Sequence, residues 1–160
     1  MENEINIMEK KDYYVAYADG AMEPRNPNGH LGMGAFILNP ERKRIFTYCK
    51  YISQKEMPNM SNNVAEYMAF IAVLEYFIEN NLQGEKIMVC GDSQLVIRQL
   101  NGEWGCKGGA YEPYYRKAIE LTNQFDKINF QWVRREFNQI ADDLSKKALI
   151  DNGIKPTERS

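Results

Sequence analysis

The amino-acid sequence predicts an α/β fold in which helices flank a mixed five-stranded sheet. Three strand-like segments come first, and their short links favour an antiparallel meander, because parallel neighbours need a crossover of a dozen or more residues. Beyond residue 62 the spacing of apolar residues changes, and helical segments alternate with short apolar strands. These two observations together predict a layered domain that begins antiparallel and continues with parallel strands.

Each predicted element follows from its own pattern. In the first strand, 13–19, alternate residues share a face, and we expect the strand to stop at Gly20. The segment 21–31 is dense in Pro, Asn and Gly and is predicted to be a loop. The other predicted strands cover 32–38, 44–52, 86–90 and 127–133, and the predicted helices cover 63–80, 93–100, 111–125 and 139–150.

The composition fits one globular domain over 1–160, with an ordered core at 12–150 and tails at 1–11 and 151–160. The chain has 160 residues, of which 44% are hydrophobic, which is enough for a substantial core. It shows no signal-like start and no apolar run long enough to cross a bilayer, so we expect a cytoplasmic protein without membrane contact. A net charge of -2 disfavours a non-specific nucleic-acid coat protein but leaves a local basic track open.

Four acidic residues stand where strands end or helices begin. They are Asp19, Glu66, Asp92 and Asp142. Asp19 and Asp92 each follow an apolar strand, and the carboxyl ends of parallel strands lie at one edge of a sheet. Glu66 lies opposite Glu75 and Glu79 on its helix and therefore points toward the sheet. Carboxylates brought together repel one another unless a cation joins them, and oxygen-only ligands suit Mg²⁺ or Mn²⁺.

Three of these acids also have an ordinary structural interpretation. Asp19 and Gly20 form a common turn pair, and Asp92 is a plausible helix N-cap. Asn63 and Glu66 have the spacing of a capping box. The functional interpretation therefore depends on the four acids in combination.

The local pattern alone does not identify the fourth acid. Asp142 and Asp143 each stand four residues before a lysine, Lys146 and Lys147, as ordinary surface ion pairs do. The helical wheel does not separate the two aspartates decisively.

Four motifs, in order and covering nearly the whole chain, resemble type 1 ribonuclease H. They are YADGA, SNNVAEYMA, GDSQLVIRQLNGEW and FQWVRREFNQIADDLSKKAL. The resemblance implies an RNase H-like fold, with strand order 3-2-1-4-5 in the five-stranded mixed sheet. It also implies that two Mg²⁺ ions, for which Mn²⁺ could substitute, are held by Asp19, Glu66, Asp92 and Asp142. Asp142 rather than Asp143 is chosen by its spacing from Asn138.

The activity implied by the resemblance is two-metal-ion hydrolysis of the RNA strand of an RNA/DNA hybrid, leaving 5′-phosphate and 3′-hydroxyl ends. An alternative is a nuclease of the same fold that prefers duplex RNA or structured DNA. Another is a non-catalytic hybrid-binding domain, against which the retention of all four acids argues. We expect a monomer.

The resemblance also assigns residues to hybrid binding. They are Gly20, Ser61, Asn62, Asn63, Ser93 and Trp104, while Arg98, Lys107 and Arg42 to Arg44 are candidates for neutralising phosphates. Asn62 and Asn63 would reach the minor groove, Ser61 a DNA phosphate and Trp104 the DNA sugars. The structural alternatives are an N-cap role for Asn63 and a turn aromatic packed on the core for Trp104.

Two departures from the best-known family members concern substrate binding. A longer insertion rich in lysine and tryptophan is replaced by GEWGCKGGA, so we expect weaker hybrid binding or another source of affinity. A histidine-bearing loop before the last acid is replaced by the compact WVRREFNQIAD, where Arg135 or Glu136 is an auxiliary candidate. The single histidine, His30, is expected in a loop or facing substrate rather than acting as a catalytic base.

Overall fold

The structure, a computed structural model, describes residues 11–155; the remainder of the two predicted tails, 1–10 and 156–160, lies outside the described residues. The strands are β1 (Tyr14–Glu23), β2 (His30–Leu38), β3 (Arg44–Ile52), β4 (Lys86–Gly91) and β5 (Lys127–Trp132). The helices are α1 (Asn62–Glu79), α2 (Gln94–Leu100), α3 (Glu112–Thr122) and α4 (Gln139–Ile150), with a 3₁₀ turn at Arg135–Phe137.

The five strands form one mixed sheet in the order β3-β2-β1-β4-β5. The pairs β1–β2 and β2–β3 are antiparallel, whereas β1–β4 and β4–β5 are parallel. The predicted fold class and strand order are therefore confirmed. Because β1 is the central strand and belongs to both halves of the sheet, its residues can reach elements from both parts of the chain.

The first strand is longer than predicted. β1 does not stop at Gly20 but continues to Glu23, which pairs with His30 at the start of β2. The predicted loop over 21–31 is therefore wrong, and the connection is reduced to 24–29. The physical reason is that antiparallel pairing with β2 continues through the Asp-Gly pair, which sequence reasoning had read as a terminator.

Apolar residues on the two faces of the sheet form two cores. The larger core lies under α1 and includes Phe70 and Phe77 of that helix. The smaller core lies on the face that α4 covers and includes Tyr17 and Phe36, whose rings are stacked with centroids 5.2 Å apart. Each face of the sheet is thus closed by a different helix, and both helices carry predicted site residues.

Two other expectations concern the predicted tail after residue 150 and contact with a membrane. At the end of α4, the amides of Asp151 and Ile154 donate to the carbonyls of Lys147 and Leu149, at 2.9 Å and 3.0 Å, so hydrogen-bonded turns follow the helix directly. Within residues 11–155, no helix combines the length and the apolar character that crossing a membrane requires.

Candidate active site

Three of the predicted acids converge at one edge of the sheet. Asp19, Glu66 and Asp92 each offer a carboxylate oxygen, and these oxygens all lie within 4.8 Å of one another. Asp19 is 7% exposed and Glu66 is 8% exposed, while Asp92 is partly buried. We call these three residues the carboxylate cluster. Acidic groups this close and this shielded from water need a compensating cation or a bound proton.

The register of the sheet explains why Asp19 and Asp92 are neighbours. The parallel pairing of β1 with β4 ends at Tyr17 and Cys90, and each aspartate lies two residues beyond that last pair. Because strand side chains alternate, Asp19 projects to the same face of the sheet as Tyr17. Asp92 directly follows Gly91, the last residue of β4. Asp19 therefore lies within β1 rather than at its end as predicted. It stands just beyond the last residue of β1 that pairs with β4.

A glycine brings α1 close enough for Glu66 to reach the cluster. A Cβ atom built on Gly20 would lie 2.3 Å from the carbonyl carbon of Ala65, the residue before Glu66. Only glycine permits this approach of strand and helix without a shift of backbone. The amide of Gly20 also donates to Oδ1 of Asp19 at 2.9 Å.

Gly20→Ala is therefore expected to lower the free energy of unfolding by about 1–3 kcal/mol, because the added methyl group forces α1 away from β1. The measurement is the urea midpoint followed by circular dichroism. Gly84→Ala is the matched control, since the Cβ atom there would meet only the Asp126 carboxylate, at 3.6 Å. Equal midpoints for the two variants would contradict the close-packing role of Gly20.

The fourth predicted acid lies beside the cluster. Asp142, in the first turn of α4, is 4% exposed and lies close enough to Asp19 to be one of the causes of the raised pKa of Asp19. It does not belong to the three-residue cluster defined by mutual oxygen distances. Its Oδ2 atom lies 2.9 Å from Nζ of Lys146. The Nε2 atom of Gln139 donates to Oδ1 of Asp143 at 2.7 Å and more distantly to Oδ2 of Asp142 at 3.5 Å, but Asp143 is exposed whereas Asp142 is buried.

Asn138 fixes α4 against the central strand. Its Nδ2 atom donates to the carbonyl oxygen of Ala18 at 3.1 Å, and its backbone carbonyl oxygen accepts from the amide of Asp142 at 3.0 Å. Ala18 directly precedes Asp19 in β1, and Asp142 lies in α4. Asn138 therefore joins the strand that carries Asp19 to the helix that carries Asp142. The spacing from Asn138 to Asp142 in the sequence motif thus corresponds to a physical link.

The electrostatics of the cluster follow from burial and repulsion. Burial raises the pKa of Asp19 well above its ordinary value, and the nearby Asp92, Asp142 and Glu66 raise it further. Arg135 lies beside Asp92, with its Nε atom 3.9 Å from Oδ2. All the clustered donors are carboxylate oxygens, which is the donor set that fits Mg²⁺ or Mn²⁺.

This raised pKa predicts that the protein without divalent ions loses stability as pH rises. The unfolded carboxyl group ionises near pH 3.9, whereas folded Asp19 holds its proton to higher pH. Above about pH 4 the unfolded state therefore releases a proton that the folded state retains, and the free energy of unfolding falls until the folded pKa is passed. Urea midpoints in EDTA from pH 4 to pH 8 measure this.

Asp19→Asn provides the control, since its midpoint lacks this contribution. The difference in stability between wild type and variant is expected to change steadily with pH over the same range. A difference that stays constant from pH 4 to pH 8 would contradict the raised pKa.

The predicted minor-groove residues lie at the start of α1. Ser61 holds the N-cap position without a side-chain cap bond, and Asn62 and Asn63 are the first two helical residues. The alternative interpretation of Asn63 as N-cap, with a capping box to Glu66, is therefore wrong. The amide of Asn62 donates to Oδ1 of Asn26 at 2.9 Å, which attaches the loop after β1 to this end of the helix.

The N-cap of α2 is Ser93 rather than Asp92. The Ser93 Oγ atom accepts from the amide of Val96 at 3.2 Å, so the capping alternative for Asp92 is wrong. A residue that sequence reasoning missed acts here: Nε1 of Trp132 donates to the Asp92 carbonyl oxygen at 3.2 Å. The pairing of β4 with β5 places Trp132 beside Gly91, and only that pairing could have indicated the contact.

Trp104 lies on the surface of the loop between α2 and α3. It is 46% exposed, and the guanidinium carbon of Arg98 lies 5.2 Å from the centre of its ring. The alternative of a turn aromatic packed on the core is therefore wrong. Lys107, in the same loop, is also exposed.

The remaining candidates, which are basic residues and the single histidine, contact other parts of the sheet. Arg42 bonds the carbonyl of Tyr13 at 3.0 Å, at the end of β1 away from Asp19, and Arg44 lies over the ring of Phe36. His30 is the first residue of β2 rather than a loop residue. Its Nδ1 atom lies 3.2 Å from the Tyr51 hydroxyl and accepts from the Gln54 amide at 3.0 Å, so it stabilises the loop after β3.

The two auxiliary candidates lie in the 3₁₀ turn before α4. Arg135 contacts Asp92, whereas Glu136 lies 3.9 Å from the Nε atom of Arg134. Arg135 is therefore the auxiliary candidate that reaches the carboxylate cluster.

Comparison with known proteins agrees with this geometry. A family model described as reverse transcriptase-like matches residues 18–148. A crystal structure of RNase H1 from Halobacterium salinarum NRC-1 is 31% identical, with a TM-score of 0.74, and the alignment covers 87% of this chain and 98% of that one. The chain belongs to the type 1 ribonuclease H family.

Two further similar proteins are covered to different extents. The structure of LC11-RNase H1 in complex with RNA/DNA hybrid is 25% identical with a TM-score of 0.75, and the alignment covers 87% of this chain and 98% of that one. The bifunctional protein Rv2228c of Mycobacterium tuberculosis is 33% identical over 135 residues, which is 84% of this chain. This chain spans 35% of the length of that curated relative.

Proposed function

We propose that this protein is an endoribonuclease that hydrolyses the RNA strand of RNA/DNA hybrids with two divalent metal ions. The observation that carries the proposal is the convergence of Asp19, Glu66 and Asp92, whose oxygens lie within 4.8 Å of one another at one sheet edge. The complex of LC11-RNase H1 with an RNA/DNA hybrid supports the choice of substrate. The expected products carry 5′-phosphate and 3′-hydroxyl ends.

The donor set fits the metal ions that this chemistry needs. Asp19, Glu66 and Asp92 would hold Mg²⁺, with Asp142 completing the site, and Mn²⁺ would be an acceptable substitute. When bound, two such ions supply an activated water and stabilise the charge on the leaving 3′ oxygen. The raised pKa of Asp19 supports this proposal, because a cation would relieve the repulsion that causes part of it.

The surrounding fold holds the carboxylates in place before substrate arrives. Asp19 lies on the central strand, and Trp132 holds the backbone of Asp92. Because strands and packed helices position side chains more rigidly than loops do, little reorganisation would be needed during the reaction. No side-chain nucleophile is required, since water attacks the phosphorus atom.

Recognition of the hybrid is assigned to residues around this edge. Asn62 and Asn63 open α1 near Glu66 and would contact the minor groove, where RNA displays its 2′-hydroxyl groups. Ser61 immediately precedes them as the N-cap, and the backbone at Gly20 packs against Ala65 and Glu66 of the same helix. The Ser93 oxygen caps α2, yet its hydroxyl proton can still be donated to a phosphate. The exposed ring of Trp104 would contact sugars of the DNA strand.

We assign the auxiliary role to Arg135 rather than Glu136. The Arg135 guanidinium is the group in contact with Asp92, and a positive charge at this place would attract the phosphate that is cleaved. A carboxylate at Glu136 would repel the same phosphate. Arg135 would therefore replace part of what the missing histidine-bearing loop provides in other family members.

The test is cleavage of four labelled substrates, which are an RNA/DNA hybrid, single-stranded RNA, duplex RNA and duplex DNA. Each is incubated with Mg²⁺, with Mn²⁺ and with EDTA. We expect cleavage of the hybrid RNA alone and only with a divalent ion. Equal cleavage of duplex RNA would instead indicate the alternative nuclease, and binding without cleavage would indicate a non-catalytic domain.

A further inference from the structure

A buried hydrogen-bond network lies behind the carboxylate cluster and outside the chemistry described above. Tyr67 follows Glu66 in α1, and its hydroxyl donates to Oε1 of Gln99 at 2.7 Å. Gln99 belongs to α2 and is only 1% exposed, although glutamine is a residue that usually remains in water. A buried carboxamide is stable only when its donors and acceptors are satisfied, so its further partners matter.

The other end of the Gln99 carboxamide holds the loop that carries Trp104. Its Nε2 atom donates to the carbonyl oxygen of Gly105 at 2.9 Å and to the Tyr111 hydroxyl at 3.2 Å. The first contact is made to the residue directly after Trp104. The second is made at the N-cap of α3, where the ring of Tyr111 stacks on that of Tyr67 with centroids 5.8 Å apart.

The loop between α2 and α3 has little packing of its own at these positions. A Cβ atom added at Gly102 or Gly105 would meet no atom within 4 Å. Gly102, Gly108 and Gly109 adopt positive φ angles of 78°, 114° and 102°, which favour glycine. The amide of Trp104 donates to the carbonyl oxygen of Arg98 at 3.2 Å. The carbonyl oxygen of the next residue, Gly105, accepts from Nε2 of Gln99. The backbone on either side of the Trp104 side chain is thus attached to α2.

We infer that Gln99 is a positioning residue for hybrid binding, because it fixes Trp104 relative to the helix that carries Glu66. This inference rests on the proposed function, in which Trp104 contacts the DNA strand. One carboxamide joins α1, the Trp104 loop and the start of α3 through three hydrogen bonds. The distance between the cleavage site and the DNA-strand contact is then set by a group that touches neither metal nor substrate.

Kinetics on Gln99→Met test the effect on binding, because methionine keeps the length of the side chain and removes its donor and acceptor. We expect KM for the hybrid to rise about 10-fold, which corresponds to the loss of one aromatic contact, while kcat changes less than about two-fold. Trp104→Ala is expected to raise KM similarly. The double variant should be no worse than Trp104→Ala alone, because both changes remove the same contact.

Fluorine NMR of 5-fluorotryptophan-labelled protein tests the positioning without substrate. The chain has two tryptophans, Trp104 and Trp132, so the spectrum contains two resonances that Trp104→Phe assigns. In Gln99→Met the Trp104 resonance should shift or broaden while that of Trp132 stays in place. Tyr67→Phe, which removes only the bond to α1, should produce a smaller change in the same direction and covers the case in which Gln99→Met does not fold.

The outcomes separate this inference from the proposed function. An unmoved Trp104 resonance, or additive KM effects in the double variant, would overturn the positioning role of Gln99. If Gln99→Met moves the resonance but Trp104→Ala leaves KM unchanged, the hybrid contact of Trp104 is wrong, and with it the role of Gln99 in binding. Cleavage by wild type in the four-substrate test is unaffected by either result.

Discussion

Asp19→Asn is expected to reduce hybrid cleavage by at least about 1,000-fold in Mg²⁺, which corresponds to about 4 kcal/mol of lost transition-state stabilisation. Asp19 belongs to the carboxylate cluster and also lies beside Asp142. Replacing it therefore affects all four predicted metal ligands. The measurement is the single-turnover rate on a labelled RNA/DNA hybrid. A rate within 10-fold of wild type would contradict the assignment of this carboxylate to the metal site.

The same variant is expected to unfold at a higher temperature than wild type when EDTA is present. An amide does not ionise, so the variant avoids the cost that desolvation and repulsion by Asp92, Asp142 and Glu66, the causes of the raised pKa of Asp19, impose on the folded wild type above about pH 4. Each 1 kcal/mol gained raises the melting temperature of a domain of this size by about 2–4 °C. A lower melting temperature in EDTA would mean that the lost activity reflects misfolding, so this measurement is also the control for the first.

The second large effect distinguishes Asp142 from Asp143. Asp142→Asn is expected to lower the cleavage rate by at least about 100-fold, whereas Asp143→Asn should stay within two-fold of wild type. Asp142 is buried against Asp19, while Asp143 is exposed and bonded to Gln139. The two variants differ by one position and carry the same chemical change, so each is the control for the other.

Two results would contradict this assignment. One is an equal loss of rate in both variants, and the other is a loss confined to Asp143→Asn. Because Asp142 also pairs with Lys146, urea midpoints of both variants must be compared at the pH of the assay. A similar midpoint with a 100-fold lower rate would place the effect in catalysis rather than in folding.

Local periodicity predicted the fold and the placement of three of the acids. The inward orientation of Glu66 followed from its helical wheel alone, and the structure buries it to 8% exposure. The parallel neighbours that bring Asp19 and Asp92 together followed from apolar strands joined by helices. Such features depend on residues close in sequence, where side-chain direction is fixed by the period of the element.

Features that depend on contacts between distant segments were not predictable in this way. The continuation of β1 beyond Gly20 is maintained by pairing with β2, and local turn chemistry gave the opposite answer. Asp142 and Asp143 have the same local relation to lysine, and only the packing of α4 against β1 distinguishes them. The contacts of Trp132 with Asp92 and of Gln99 with Gly105 likewise have no local signal.

The helix caps show the same limit on a smaller scale. Several polar residues precede both α1 and α2, and the caps belong to Ser61 and Ser93 rather than to Asn63 and Asp92. Each cap lies outside the group of acids, which leaves the carboxylates of Glu66 and Asp92 directed at the cluster. A shift of one or two residues in a cap therefore decides whether an acid serves the helix or the site.

The most direct test of the metal centre is anomalous scattering from crystals soaked in Mn²⁺. The proposal predicts an anomalous peak within coordination distance of the carboxylate oxygens of Asp19, Glu66 and Asp92, absent from crystals of Asp19→Asn treated in the same way. Manganese peaks only elsewhere on the molecule, or none at the cluster while wild type cleaves the hybrid in Mn²⁺, would contradict the proposal that these carboxylates hold the catalytic ions.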